Sequence, residues 1–249
     1  MSLAVDLRMN TRFVLTAFLT LAACRERSSD EAKPSKIVAP APPCEKCTLD
    51  APTEATRPLP LLVVMHGNNE DAATAAKRWK DVATDRGFVV LSLQCPRGAG
   101  CEDGKWYLWQ RTPTWIAEQV REVIRAMPID QTKIYAAGWS GGATALGMHA
   151  PVIDQMFAGV VFHGGGQPPL TTRECPAHAM PAYFLVGDGN PAHPAAVRLR
   201  DYFERCDQEL TWDLLPGAGH GREDKALDRA KAGQILDWLE QHAREPNVS

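Results

Sequence analysis

Residues Lys133 to Leu146 read K-I-Y-A-A-G-W-S-G-G-A-T-A-L, an apolar strand running directly into a glycine-flanked serine and then into a helix of small residues. A serine at so abrupt a strand-to-helix turn sits on strained backbone, and the helix behind it must pack closely on the sheet, so its neighbours have to lack bulk. Gly138, Gly141 and Gly142 meet that condition. The segment therefore predicts a parallel α/β architecture in which Ser140 is a candidate nucleophile at the carboxyl end of a strand. A bare G-x-S-x-G arises readily by chance in a chain with 19 glycines; the strand before it and the helix after it carry the inference.

The hydrophobic pattern agrees with that architecture along the rest of the chain. Strands are predicted at Leu61 to Met65, Phe88 to Leu93, Lys133 to Ala137, Ala158 to Phe162, Ala182 to Val186 and Leu210 to Leu215, and helices at Asp71 to Asp85, Thr114 to Met127, Gly141 to Ala150, Pro194 to Cys206 and Lys225 to His242. The second helix is the clearest, because Ile116, Val120, Val123, Ile124 and Met127 make one apolar stripe. Such alternation implies a doubly wound, mainly parallel sheet flanked by helices and joined by right-handed crossovers.

Two further segments fall in a telling order around the serine. Upstream, Leu61 to Met65 ends in the turn His66-Gly67-Asn68-Asn69; downstream, Leu210 to Leu215 leads to Pro216-Gly217-Ala218-Gly219-His220-Gly221, where the glycines leave the His220 ring free to reach a nucleophile. With these residues in this order, the chain resembles the α/β-hydrolase superfamily over roughly residues 58 to 243. Within it, the similarity is to small cap-free esterases of the polyhydroxyalkanoate-depolymerase-like or feruloyl-esterase-like kind. The resemblance implies Ser140 as nucleophile, His220 as general base, and an oxyanion hole from the backbone N–H groups of Gly141 and Asn68. It also implies opening antiparallel strands, for which few residues remain before Leu61, so these are expected shortened or missing.

The orienting acid has two candidates. After the strand ending at Val186, Gly187-Asp188-Gly189-Asn190-Pro191-Ala192-His193-Pro194 looks like a Gly-x-x-Asp-Pro acid loop in which the acid position holds Asn190. Asp188 is the nearest carboxylate, and is the expected acid; Asn190 in the same role would orient the histidine more feebly. Asn68 and Asn69 either donate into the site or only make the turn. His163-Gly164-Gly165-Gly166 matches the text of a lipase oxyanion loop but follows the nucleophile, so it is read as a glycine-rich strand end, and His66-Gly67 is better placed. Trp106, Tyr107, Trp109, Trp115 and Trp139 crowd the region. Of these, Trp106, Trp109 and Trp139, with His66, are pocket candidates, against the alternative that Trp115 and a neighbour are core.

The N-terminus bears on compartment. In Met1 to Ala23, Arg8 and Arg12 precede the apolar run Phe13 to Ala23, a signal-peptide pattern too short to span a bilayer comfortably. Leu21-Ala22-Ala23-Cys24 looks like a bacterial lipobox, which implies a lipid on Cys24 and a place at the cell envelope, the outer membrane rather than the inner since Arg25 follows the cysteine. A plain signal peptide and a start at Met9 stay open. Residues 24–57, rich in proline, serine and charge, read as an extended tether, leaving 58–249 as one domain of about 190 residues with no cap. Loss of Met1 to Ala23 removes Asp6, Arg8 and Arg12 and takes the formal charge from −3 to −4. A mildly acidic chain argues against nucleic acid as partner.

Beyond Cys24 there are six cysteines, an even number that in an exported chain reads as disulfides with 15 possible connectivities. Proximity favours Cys95 with Cys101; Cys175 stands just before the strand Ala182 to Val186 and Cys206 ends the helix that follows, so a bridge between them would staple a βα unit, leaving Cys44 with Cys47. The last pair is also a C-x-x-C, so a redox or metal protein is one reading of the chain, although no second ligand pair accompanies it and no metal or cofactor is expected. The leading expectation is a lipid-anchored serine hydrolase acting on a small-molecule or polymer ester. A non-catalytic envelope lipoprotein on a decayed hydrolase fold is the alternative, motivated by Asn190.

Overall fold

The computed structural model describes residues 33–245; the signal segment, Cys24 and the start of the tether lie outside the described residues. Its strands are β1 (Ser35–Lys36), β2 (Thr48–Asp50), β3 (Glu54–Ala55), β4 (Leu59–Met65), β5 (Val89–Leu93), β6 (Ile129–Trp139), β7 (Gly159–His163), β8 (Ala182–Gly187) and β9 (Leu210–Leu215). The helices are α1 (Ala72–Lys77), α2 (Lys80–Thr84), α3 (Thr112–Ala126), α4 (Gly141–Met148), α5 (Ala150–Ile153), α6 (His193–Arg205), α7 (His220–Ala226) and α8 (Arg229–Leu239).

Seven strands form one sheet in the order β2-β5-β4-β6-β7-β8-β9, parallel throughout except for β2 on the edge. Strands this hydrophobic must be covered on both faces, and alternate residues divide accordingly. Leu61, Val63 and Met65 of β4 and Val89, Leu91 and Leu93 of β5 join one core with residues of α3, α4 and α6. Leu62 and Val64 of β4, with Val90, Ala137 and Leu185, join a second core with Ala75 and Val82 of α1 and α2 and Ile235, Leu236 and Leu239 of α8. The doubly wound sheet is thus written into the period-two pattern of its strands. Of the opening antiparallel strands, only the three-residue β2 stands in the main sheet among the described residues.

The chain runs outward from β4 to β5 and then crosses back to β6, so the strand order reverses beside β4. Open α/β sheets bind ligands above the carboxyl ends of strands at such a switch point. The turn after β4 carries Asn68 and the turn after β6 carries Ser140, one on each side of it.

Three local differences from the expected elements matter for the site. Asp71 to Asp85 is two short helices rather than one, broken at Arg78 and Trp79, where Trp79 turns into the core at 2% exposure. The C-terminal helix is likewise two: α7 begins at His220, and Asp228 caps α8 by accepting from Lys231 N at 2.8 Å. Residues 35–57 are not an extended tether. They hold the β1–β3 ribbon, the edge strand β2 and the Cys44–Cys47 disulfide, and the compact unit begins at Lys33. The other two disulfides, Cys95–Cys101 and Cys175–Cys206, pin the loop after β5 and tie the segment before β8 to the end of α6. The Cys44–Cys47 disulfide stands just before β2, with Cys47 buried in the core.

Candidate active site

Ser140 occupies the turn between β6 and α4 at φ 51°, ψ −109°, a combination sparsely populated by side-chain-bearing residues. The neighbours enforce it: Ser140 N donates to His163 O at 2.9 Å, and a Cβ on Gly142 would lie 2.6 Å from Met65 O. Only glycine lets α4 lie that close to the end of β4. Ser140 is half-buried and its Oγ lies 3.0 Å from His220 Nε2.

His220 is the first residue of α7. Three residues later the same helix supplies Glu223, whose side chain is fully buried and whose Oε2 lies 3.0 Å from His220 Nδ1. Positions three apart share one helix face, so the short helix delivers histidine and carboxylate together. The buried carboxylate is paid in hydrogen bonds: Gly187 N donates to Oε1 at 2.6 Å and Asn190 Nδ2 to Oε2 at 2.6 Å. Asn190 also donates to Gly164 O at 3.1 Å, and its Oδ1 accepts from Ala192 N at 2.9 Å. With both amide hydrogens so committed, Asn190 has none left for His220 Nδ1 at 3.1 Å. The consistent assignment has His220 Nδ1–H donating to Glu223 and Nε2 accepting from Ser140.

That geometry corrects the expected acid. Asp188 is exposed, and its carboxylate accepts from Gly217 N in the turn after β9, whereas the carboxylate on His220 is that of Glu223. Asn190 does stand in the loop expected of the acid, but as a clamp on Glu223. The correction traces to the glycines at 217, 219 and 221, which made a helix beginning at His220 unreadable from local pattern; the His220–Glu223 spacing was the available signal.

His220 is further held by Trp139, the last residue of β6, whose ring lies nearly parallel to the imidazole (7°) at 4.4 Å. The indole is itself packed between the turn after β4 and the end of β7: Cβ atoms on Gly67 and Gly164 would lie 2.7 and 2.3 Å from it. This gives the His163-Gly164-Gly165-Gly166 segment its role as a strand end that makes room beneath the serine. His163 is buried, and desolvation pushes its pKa down to about 4. Neutral, it donates from Nε2 to Glu223 O at 2.8 Å and so fixes the acid's backbone as well.

On the other side of Ser140, Gly141 opens α4, where an N–H has no partner within the helix. Asn68 abuts it, with Asn68 N 3.3 Å from where a Gly141 Cβ would sit. Asn68 Nδ2 lies 3.2 Å from Tyr107 Oη. Asn69 is exposed at φ 62° and makes the turn. The remaining pocket candidates are structural. His66 is buried, with its pKa lowered by desolvation; it donates to Gly67 O at 2.7 Å and accepts from Cys95 N at 3.1 Å, joining the ends of β4 and β5. Trp106 and Trp109 pack with Trp115 at ring separations of 5.8 and 5.9 Å within the core. Of that stretch, Trp106 packs its ring 5.2 Å from that of His66, and Tyr107 reaches Asn68 itself.

Solved structures similar to this one include a thermostable esterase, at 17% identity and TM-score 0.62 over 80% of this chain and 59% of that one. A truncated carbohydrate esterase from gut microbiota is similar at 14% identity and TM-score 0.61, covering 78% and 90% of the two chains. So is the Bacillus cereus carboxylesterase, at 15% and TM-score 0.57, covering 78% and 93%. The chain thus spans 59% of the length of the first of these. No family model and no curated protein matches the sequence. The chain has the α/β-hydrolase fold, with no cap domain among the described residues. At these identities the likeness establishes that fold alone.

Proposed function

We propose that the protein is a serine hydrolase that cleaves a carboxylic ester through an acyl-enzyme. The observation that carries the reading is the single line of hydrogen-bonding atoms from Ser140 Oγ through His220 to the buried Glu223 carboxylate. Ser140 attacks the ester carbonyl while His220 Nε2 takes its proton. The imidazolium so formed is held by Glu223, which also fixes the tautomer. The oxyanion is received by the N–H groups of Gly141 and Asn68, each such donor being worth roughly 3 kcal/mol in comparable sites. Collapse expels the alcohol, protonated by His220, and a water activated by the same base releases the acid.

The fold's esterase neighbours support the same reaction class. Asn190, which motivated the non-catalytic alternative, gives it no support once its amide is engaged on Glu223. We further propose that the protein works at the cell envelope on a lipid carried by Cys24, from the lipobox pattern at Leu21 to Cys24 and three disulfides that belong to an oxidising compartment. No helix among the described residues is long and apolar enough to cross a membrane. The test is hydrolysis of a short p-nitrophenyl ester by the purified chain. Ser140→Ala is expected to remove that activity with the fold intact, and undiminished turnover in the variant would refute the proposal.

A further inference from the structure

Arg78 lies at the break between α1 and α2, where a continuous helix was expected, and none of the chemistry above uses it. Its guanidinium grips Glu70 with both terminal nitrogens, Nη2 to Oε1 at 2.7 Å and Nη1 to Oε2 at 3.1 Å, and its Nε donates to Asp224 Oδ1 at 2.7 Å. Glu70 in turn accepts from Gly67 N at 3.1 Å, fixing the turn that carries Asn68. Asp224 follows the buried Glu223 on α7. Between these two ends, the Arg78 Cζ lies 5.0 Å from the ring centre of Trp139, the indole that stacks on His220. One largely buried cation therefore touches the oxyanion turn, the acid helix and the histidine's stacking partner.

We infer that Arg78 is a positioning residue for the hydrolytic site, holding the oxyanion turn and the His220–Glu223 helix in register. The inference rests on the hydrolase reading for its catalytic consequence, and on the geometry alone for its structural one. Two elements more than a hundred residues apart in sequence must present their groups to one carbonyl carbon, and a misplacement of about 1 Å costs on the order of 10²-fold in rate. A planar fork with donors in fixed directions suits that task, whereas an ammonium reaches one partner at a time. Around the His220 ring stand Glu223 on its own helix, Asn190 from the loop after β8, and Ser140 and Trp139 from the end of β6. Behind Trp139 lie the neutral His163 of β7 and Arg78 with Glu70 and Asp224. Removing the guanidinium takes from Glu70 and Asp224 their shared donor and uncovers the indole face of Trp139, so the turn, the helix and the stacking partner lose their common anchor.

The experiment compares the full wild-type chain with Arg78→Met and Arg78→Lys, at one fixed pH, by the NMR signals of the His220 ring, which lies in the ring-current field of Trp139, and by turnover of p-nitrophenyl acetate. In Arg78→Met, kcat is expected to fall on the order of 10²-fold with KM changed less than about threefold, and the His220 ring signals to move as its stacking on Trp139 loosens. Arg78→Lys, which reaches one partner at a time, is expected to move those signals less and to recover part of kcat. A folded Arg78→Met with unmoved His220 ring signals and kcat within about threefold of wild type would overturn the inference. If Arg78→Met does not fold, Asp224→Ala decides: that half-exposed site tolerates truncation, the acceptor for Arg78 Nε is gone, and loss of the tie to α7 is expected to lower kcat about tenfold, an unchanged kcat overturning the proposal. Absence of ester hydrolysis by the wild type would instead refute the hydrolase reading, while the His220 ring signals still test Arg78.

Discussion

Replacing Glu223 by glutamine tests the relocated acid most sharply. The side chain is fully buried, and its oxygens accept from Gly187 N, Asn190 Nδ2 and His220 Nδ1 at 2.6, 2.6 and 3.0 Å. An amide keeps the shape but brings its NH₂ against that of Asn190 or against Gly187 N–H, one donor facing another, and removes the charge that compensates the imidazolium. Losing the carboxylate's orienting and electrostatic role in a serine triad costs about 10⁴ in kcat, equivalent to about 5 kcal/mol in the barrier. The mismatched donor adds a stability loss of about 1–3 kcal/mol. Turnover of p-nitrophenyl acetate and thermal unfolding of Glu223→Gln, with Asp188→Asn as comparator, read out both effects. Asp188 is exposed and holds Gly217 N, so its amide variant is expected to keep kcat within about threefold. A severe loss in Asp188→Asn with a near-normal Glu223→Gln would refute the assignment.

Other outcomes follow from the same contacts. Asn190→Asp sets a second carboxylate about 2.6 Å from Glu223; two carboxylates that close share a proton, so kcat is expected to fall, and an acceleration would place the orienting acid at 190. His163 is held neutral in the folded chain with its pKa depressed to about 4, whereas the unfolded chain protonates it near the ordinary histidine value. The stability it contributes is therefore present above about pH 6.5 and lost as pH falls toward 4, by up to about 3 kcal/mol. His66, also lowered by burial, acts in the same direction. Unfolding midpoints measured across that window are expected to drop more steeply in wild type than in His163→Gln, and parallel curves would contradict this. Native protein is expected to partition into detergent and Cys24→Ser to release it; an unacylated, soluble wild type would refute the anchor.

What the sequence made legible was whatever repeats with a local period or demands a special residue. The apolar runs at Leu61 to Met65 and Lys133 to Ala137, the glycines around Ser140, and the order of Asn68, Ser140 and His220 sufficed for the sheet and for the two sides of the site. The proposed acid was obscured because it lies on a seven-residue helix flanked by glycines that read as loop. What favours Glu223 is burial, since its carboxylate stands among Gly187, Asn190 and His220. The tryptophans misled for a related reason: aromatic residues beside a site and aromatic residues in a core share one composition, and α3 draws Trp106, Trp109 and Trp115 inward. Arg78 carried no signal at all, because its partners at 70 and 224 come together only in the fold.

The most direct test of the central claim is a trapped adduct. The wild-type chain is treated with a fluorophosphonate, its intact mass is measured, and the modified peptide is mapped. One phosphonyl group on Ser140, slowed strongly in His220→Ala and Glu223→Gln and absent in Ser140→Ala, is the result expected of a serine activated through His220 and Glu223. An unmodified wild type, or a label that persists on another residue when Ser140 is alanine, would contradict it.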